Sequence, residues 1–250
     1  MMGIWKGIAC AAVLVALWAA TAEATTFEVT ARFDSVVHKQ AVHLVMPGSN
    51  PYVYAGLYWF DKVAVSPDIE ANPAYWLDDE FGGYCIDIQQ EINWNYQGVW
   101  QIEPLADAPI GPGGDASGAM GAQRAEHLKR LWGNYFVPGP YPEFQVAVWE
   151  LLVEDPANGY DVTSGDFYAS RSNEVDRTQI NQWLDLVTDP AYSGPVSNLM
   201  YAMTSSDTQD FAVLIETGGQ TVPEPVTLAG LVLGGGGLLG YLRRRKVKGA

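Results

Sequence analysis

Residues 27–33 read FEVTARF, a run in which apolar and polar side chains alternate without interruption. A period of two is typical of a β-strand that buries one of its faces. Similar strand-like runs occur at 36–46, 52–59 and 84–88, and the segments MPGSNP (46–51) and SPDIEANP (66–73) between them are rich in turn-forming residues. The first half of the chain is therefore predicted to form antiparallel β structure.

The hydrophobic period changes after the glycine-rich segment GPGGDASG (111–118). Apolar residues at 120, 128, 131, 132 and 135 fall on one helical face, and a second helix is predicted at 144–153. A third helix is predicted around 180–187, with Asn173 as its candidate N-cap and Pro190 just after its end.

Strand-like runs return near 161–168, at 199–203 and at 210–216. The order of strands, then helices, then strands differs from the regular βαβ alternation of a doubly wound fold. We expect a mainly β protein with a helical insertion (α+β), in which an antiparallel β-sandwich or barrel carries an inserted helical subdomain. A chain of 250 residues is long enough for one such domain.

The first 24 residues have the order of a secretory signal peptide. Lys6 precedes the apolar run GIACAAVLVALWAA, and the small residues Ala22 and Ala24 come just before Thr25. A membrane anchor is the alternative, but the apolar run is shorter than the roughly 20 residues that a spanning helix needs. We expect cleavage after Ala24 and export of the protein.

The end of the chain has three consecutive parts. Pro223, Glu224 and Pro225 precede an uncharged apolar run at 226–242, which is just long enough for a transmembrane helix. A basic cluster follows, and by the positive-inside rule it would stay in the cytoplasm. The cluster consists of Arg243, Arg244, Arg245, Lys246 and Lys248.

In this order of parts, residues 222–250 resemble the PEP-CTERM sorting signal of exported bacterial proteins. The resemblance implies an exosortase as processing partner, cleavage near 223–225, and a precursor held in the inner membrane by helix 226–242. The mature protein would then reach the cell surface or the extracellular matrix. An ordinary permanent anchor is the alternative, although it would not need Pro-Glu-Pro at the boundary.

The region between the two ends is strongly acidic. With six basic and two acidic residues of the ends set aside from totals of 14 and 29, residues 25–221 keep eight basic and 27 acidic residues, a net charge of −19. Such a surface repels phosphate backbones, which excludes nucleic acid as a partner. The acidity alone assigns no function.

The sequence predicts no metal and no cofactor. It has no His-Glu-x-x-His motif and no cysteine pair. Oxygen ligands for calcium exist at Asp155, Asn158, Asp161 and Asp166, but their spacing does not follow the calcium-loop pattern, so a solvated loop is favoured.

Seven tryptophans lie between the two ends of the chain. Trp132, Trp149 and Trp183 fall in apolar helical patterns and are predicted to be core residues. Sugar binding by the others remains an alternative; they are Trp59, Trp76, Trp94 and Trp100.

Cys85 is the only cysteine outside the predicted signal peptide. In the strand-like run YCIDI, Tyr84, Ile86 and Ile88 would share one face, and Cys85 and Asp87 the other. A structural cysteine fits the apolar face better, so this placement favours chemistry. The alternative is an inert buried thiol.

Gln145 is a second unusual residue, because it lies among apolar neighbours in the predicted helix YPEFQVAVWELL (141–152). A buried carboxamide must find partners or be consumed by a reaction. Attack of the Cys85 thiolate on the Gln145 carboxamide would expel ammonia and leave an internal thioester.

The pair YCID and FQVAVWE resembles the two signature motifs of the thioester domains of Gram-positive adhesins, and the resemblance covers 25–219. It implies that Cys85 and Gln145 form the cross-link, with Tyr84, Asp87 and Trp149 as a supporting pocket. Many adhesin domains have Thr and Ile where this chain has Phe144 and Val148.

A thioester would make the protein a one-shot covalent binder and not an enzyme. It would acylate an amine or hydroxyl of a surface or matrix polymer, with Asp87, a histidine or a tyrosine helping ammonia to leave. The alternative is a non-covalent structural or polysaccharide-binding matrix protein with a free Cys85. A third candidate is a cysteine hydrolase that pairs Cys85 with His38, His43 or His127, although no local nucleophile motif supports it.

Overall fold

The computed structural model describes residues 25–110, 118–136, 141–171 and 173–215. The strands are β1 (Glu28–Val45), β2 (Tyr52–Ser66), β3 (Glu80–Cys85), β4 (Gln97–Pro104), β5 (Tyr168–Ala169), β6 (Met200–Thr204) and β7 (Phe211–Leu214). The helices are α1 (Gly121–Tyr135), α2 (Tyr141–Val153) and α3 (Arg177–Thr188), and three short 3-10 helices lie at Pro73–Trp76, Leu105–Asp107 and Pro156–Asn158.

Six of the strands form a closed antiparallel barrel. The order around it is β1-β2-β3-β7-β6-β4, and β4 pairs again with β1; β5 is added at the far end of β1. Closure leaves the six strands without a free edge along their paired lengths. The expected mainly β fold is confirmed, and of the two expected architectures the barrel is the one observed.

Aromatic side chains fill the interior of the barrel. Phe60 lies at its centre, with ring centroids 5.5 Å from Phe81, 5.9 Å from Trp100 and 4.8 Å from Phe211. These four rings come from four different strands, and all are buried. The alternating pattern of the sequence thus places one face of each strand in a common aromatic core.

The first strand is longer than the sequence predicted. The runs at 27–33 and 36–46 form the single strand β1, which pairs with β2 along most of its length. The register shifts between Phe33 and Ser35 and between Val37 and Gln40, so β-bulges interrupt the period of two that separated the runs in the sequence. The same strand closes the barrel because its first half also pairs with β4.

The three helices lie between β4 and β6 in the chain, and α2 is the central one. Every residue from Phe144 to Leu152 is buried, because α2 packs against β1, β2 and β3 on one side and against α1 and α3 on the other. The other two helices are amphipathic and cover α2. A buried helix of this kind can place a polar side chain directly against the barrel.

Several expected element boundaries were wrong. The strand expected at 84–88 is β3 at 80–85, and β4 was not expected at all. The N-cap of α3 is Asp176, whose side chain accepts a hydrogen bond from the Gln179 N–H, and not Asn173. The strand expected near 161–168 is the two-residue β5.

The predicted signal peptide, the Pro-Glu-Pro motif, helix 226–242 and the basic cluster all lie outside the described residues. Within the part of the chain that the structure describes, no helix has the length and apolar character needed to cross a membrane.

Candidate functional site: Cys85 and Gln145

Cys85 and Gln145 are in direct contact although they are far apart in the sequence. The backbone N–H of Cys85 donates a 2.9 Å hydrogen bond to Oε1 of Gln145, and Nε2 of Gln145 donates a 2.9 Å hydrogen bond to the Cys85 carbonyl. Both residues are fully buried. The structure therefore brings together the two residues that the sequence singled out for a cross-link.

The contact forms where β2 and β3 separate. β3 pairs with β2 as far as Gly83 and with β7 as far as Cys85, so at Cys85 only the β7 side still has a strand partner. The backbone N–H and C=O of Cys85 point to the side that has no strand, and the carboxamide of Gln145 occupies that side. Gln145 thus completes the sheet as a neighbouring strand would.

The thiol of Cys85 makes a hydrogen bond of its own at the site. Its sulfur donates a 3.1 Å hydrogen bond to the backbone carbonyl of Asp87. Sγ is three covalent bonds from the Cys85 nitrogen, and the carboxamide carbon is one bond from Oε1, which that nitrogen holds. The residue that carries the proposed nucleophile is therefore hydrogen-bonded, through its backbone N–H, to the carbonyl oxygen of the carboxamide that it would attack.

The surroundings of the thiol are dry. Burial raises the pKa of Cys85 far above its usual value, and the nearby Asp87 and Asp210 raise it further. Trp149 opposes this shift: its indole N–H lies near enough to the sulfur to lower the pKa, yet it makes no hydrogen bond of standard geometry. The free thiol would thus be protonated and slow to react with reagents in solution.

Asp87 is a buried carboxyl with one atom unpartnered. Its Oδ1 accepts hydrogen bonds from the backbone N–H groups of Gln89 and Gln90, at 3.0 and 3.3 Å. Its Oδ2 is buried without a partner among the described residues. Burial raises the pKa of Asp87, which favours the neutral acid, and a neutral acid can give up a proton.

Asp210 is a site residue that the sequence did not reveal. It is buried beside the Cys85 strand: its carbonyl accepts a 2.9 Å hydrogen bond from the Ile86 N–H, and its Oδ1 accepts one of 2.7 Å from Ser205. Burial, and then the neighbouring Asp87 and Glu103, raise the pKa of Asp210 to about 7. In the sequence it only opens a strand-like run, so nothing marked it.

The expected two faces of YCIDI are not observed, because β3 ends at Cys85. Tyr84, Cys85, Ile86 and Asp87 are all buried, so the apolar and polar sides are not distinguished by exposure. The ring of Tyr84 packs 4.5 Å from that of Phe144, within the helical layer, and supports the site from behind.

A cavity of about 320 Å³ lies next to the site. Asp87, Trp149 and Arg124 line it, and most of the other lining side chains are apolar. Cys85 and Gln145 do not line the cavity, but Asp87 and Trp149, which do, also lie near the Cys85 sulfur. A partner that enters the cavity can therefore contact these two side chains.

The histidines are not partners of Cys85. His43 is hydrogen-bonded to Ser170, the His38 ring packs at a tilt against that of Tyr141, and His127 lies edge-on to Tyr160. None of the three donates to or accepts from the thiol in the described structure, which gives the hydrolase alternative no support.

Three of the four candidate calcium residues use their side chains in hydrogen bonds. Asp155 accepts from Ala157, Asn158 donates to Glu154, and Asp161 accepts from Thr163, Ser164 and Asn181 of α3. Glu154, which was not among them, accepts from the backbone of Asp155, Asp166 and Phe167. Gly165, at φ 110°, passes so close that a Cβ there would collide with this carboxylate. The described residues contain no group of three or more metal-ligating side chains.

Of the tryptophans, the three predicted core residues Trp132, Trp149 and Trp183 are buried, as expected. Trp100 is also buried, whereas Trp94 is 54% exposed.

Comparison with known protein families, with curated proteins and with solved structures gave no match for this chain. The fold and the site define the class of this protein. It is an antiparallel β-barrel with a central helix, in which a buried cysteine of the barrel is hydrogen-bonded to a buried glutamine of the helix.

Proposed function

We propose that this is an exported surface or matrix protein whose Cys85 and Gln145 form an internal thioester. The thioester then attaches the protein covalently to a partner that carries an amine or a hydroxyl. The observation that carries the proposal is the pair of hydrogen bonds between the Gln145 carboxamide and the Cys85 backbone.

The geometry supports the first step in two ways. Sγ of Cys85 attacks the carboxamide carbon, a C–S bond forms, the C–N bond breaks, and ammonia leaves with the proton of the thiol. The Cys85 N–H already donates to Oε1, where negative charge develops in the tetrahedral intermediate. Asp87 would pass the proton in its neutral form, which burial favours by raising its pKa, through the Oδ2 that has no partner among the described residues.

Burial supports the stability of the product. A thioester persists only where water is excluded, and both linked residues are fully buried behind Trp149. In the second step an amine attacks the acyl carbon of residue 145, an amide forms, and Cys85 recovers its thiol. The reaction happens once per molecule, so the protein is a covalent binder and not a turnover enzyme.

The mass of the purified protein tests the proposal. A thioester makes it lighter than the encoded chain by one ammonia, and peptide mapping should join the peptides that contain positions 85 and 145. Cys85→Ala should abolish both signs. A full mass with a carboxamide intact at Gln145 would contradict the thioester; native thiol labelling would not decide, because a free Cys85 is buried.

The same hydrogen bonds favour a second candidate. Gln145 satisfies its own carboxamide and the backbone of Cys85, which is a complete structural role without any reaction. A full mass would favour this candidate, a non-covalent matrix protein with a free Cys85.

Export and sorting are proposed from residues 1–24 and 222–250 alone. Protein recovered from the producing cells should begin at Thr25 and end near 223–225. Replacing Pro223 and Pro225 by alanine should leave it uncleaved in the membrane; normal processing of that variant would contradict the sorting role.

A further inference from the structure

A second cavity, of about 460 Å³, opens beside the proposed thioester site. It is called the aromatic groove below and is defined by Tyr52, Tyr54, Trp94, Gln89 and Gln90, with Tyr58 and Gln209 at its floor. Its volume is within the ~300–1,000 Å³ of typical ligand pockets.

Exposed aromatic rings are concentrated in this groove. Tyr52, Tyr54 and Trp94 are 55%, 49% and 54% exposed, and Tyr75 is the only other aromatic among the strongly exposed large apolar side chains of the described residues. Because three of these four exposed aromatic side chains lie in one groove, the groove is suited to a ligand with flat apolar faces.

The rings of the groove already hold cations. Nζ of Lys39 lies 4.8 Å from the centroid of Tyr54 and 4.9 Å from that of Trp94, and the Arg171 guanidinium lies 5.1 Å from the centroid of Tyr52. These distances are those of cation–π contacts. Lys39 is exposed, so its ammonium occupies a position that the ammonium of a ligand could take over.

The polar groups of the groove suit hydroxyls and amines. Gln89 and Gln90 offer carboxamides at the rim, Glu91 adds a carboxylate, and the buried Gln209 lies beside the Tyr58 hydroxyl at the floor. A net charge of −19 over residues 25–221 attracts a cationic polymer and repels an anionic one.

The groove adjoins the 320 Å³ cavity that lies next to the proposed thioester site. Met46, Ile88 and Gln89 line both the groove and the 320 Å³ cavity whose wall is formed by Asp87 and Trp149. A polymer lying in the groove can therefore extend toward that wall.

From these observations we infer that the aromatic groove binds a polysaccharide of hexosamine units with free amino groups. The apolar faces of the sugar rings stack on Tyr52, Tyr54 and Trp94, and one ammonium replaces that of Lys39. The covalent part rests on the proposed thioester: a free sugar amine attacks the acyl carbon of residue 145, the C–S bond breaks, and the proton lost by nitrogen goes to the Cys85 sulfur.

Binding of a glucosamine hexamer to the intact protein and its variants tests the inference. In the Cys85→Ala variant, which isolates non-covalent binding, the hexamer should bind at least tenfold more tightly than its fully N-acetylated form or a glucose hexamer. Trp94→Ala and Tyr54→Ala should each weaken binding about tenfold, whereas Tyr75→Ala, a matched exposed aromatic outside the groove, should not.

Lys39→Ala gives an opposite and more specific readout. If Lys39 holds the place of the ligand, its removal should tighten binding of the glucosamine hexamer several-fold. Weaker binding in Lys39→Ala, equal binding of the N-acetylated hexamer, or equal effects of Tyr75→Ala and Trp94→Ala would overturn the inference. A lysine hexamer that binds as tightly and with the same dependence on Trp94 would overturn the assignment to a sugar.

The mass of the wild-type protein after incubation with the glucosamine hexamer distinguishes the covalent step from non-covalent binding. A gain of one whole hexamer, absent in Cys85→Ala, is the expected result. Binding in Cys85→Ala without any adduct in the wild type would support the groove assignment and overturn the covalent part of the inference; the wild-type mass then shows whether the thioester itself is present, because only a mass that keeps the ammonia contradicts it.

Discussion

The carboxamide of Gln145 takes, against the backbone of Cys85, the place of a neighbouring β-strand. It lies at the point where β2 leaves β3, and it satisfies a buried N–H and a buried C=O that would otherwise have no partner. This contact ties the central helix α2 to the barrel. It is also the contact that a thioester would replace with a covalent bond.

Replacing Gln145 by alanine should destabilise the fold even where no thioester can form. In a Cys85→Ala background, the change leaves two buried backbone groups unsatisfied and opens a small cavity. We expect a loss of about 2–5 kcal/mol in the free energy of unfolding, measured by urea denaturation.

Gln182→Ala is the matched control, because Gln182 is exposed on α3 and should change stability by less than about 0.5 kcal/mol. Equal effects of the two changes would show that the Gln145 hydrogen bonds contribute nothing.

Asp87→Asn should slow formation of the proposed thioester without unfolding the protein. Asparagine keeps the Oδ1 that accepts from Gln89 and Gln90 but cannot supply a proton. General acid catalysis is typically worth ~10²–10⁴-fold, so we expect loss of ammonia to be about 100-fold slower, followed by mass spectrometry after refolding.

The pH profile distinguishes proton transfer from a structural effect of Asp87. The active form is the neutral acid, so its contribution in the wild type should fall as the pH rises through the raised pKa of Asp87. The asparagine variant should lack this fall. Asp185→Asn, on the exposed face of α3, should keep the wild-type rate and profile.

Asp210 should make the protein less stable as the pH rises from about 4 to about 7. Its pKa is raised to about 7 in the folded state, chiefly by burial, so the folded state binds more protons than the unfolded state in this range. The free energy of unfolding then falls by up to about 1.4 kcal/mol per pH unit and levels off above pH 7.

Asp210→Asn should flatten this part of the stability curve, since asparagine still accepts the hydrogen bond from Ser205. Burial raises the pKa of Glu150 to about 8. Glu150 should therefore contribute a similar fall in the free energy of unfolding, which extends one pH unit higher. Glu150→Gln should remove this fall. Urea denaturation from pH 4 to 9 measures both, and unchanged slopes in the variants would contradict the assignment.

Local patterns predicted the β character, the three helices and the pairing of Cys85 with Gln145, because each depends on the period of neighbouring side chains or on an oddly placed polar residue. They missed β4, whose sequence QGVWQIEP contains Gly98 and ends in Pro104, and is a strand only because β1 and β6 lie beside it. Asp210 was missed for the same reason: it becomes a site residue when the pairing of β3 with β7 brings it to Ile86.

Glu154→Ala should destabilise the protein strongly although Glu154 takes no part in the proposed reaction. The carboxylate is buried and accepts four hydrogen bonds, from Asp155, Asp166, Phe167 and the side chain of Asn158. Its removal leaves several hydrogen-bond donors without an acceptor. We therefore expect the free energy of unfolding to fall by about 3–5 kcal/mol, measured by urea denaturation. Asp185→Ala, an exposed acid, should have almost no effect.

Trp149 should control the lifetime of the proposed thioester. The side chain is buried between Cys85 and the 320 Å³ cavity, so a smaller residue opens a path for water to the acyl carbon. We expect Trp149→Leu to speed hydrolysis at least tenfold, seen by mass spectrometry as gain of one water by the cross-linked chain. Trp149→Phe keeps most of the apolar wall and should hydrolyse more slowly than Trp149→Leu.

Trp183→Leu is the control, because Trp183 is buried on α3 and packs on Tyr135, with its ring 4.8 Å away. It should cost comparable stability and leave hydrolysis unchanged; equal hydrolysis in all variants would show that Trp149 does not shield the bond.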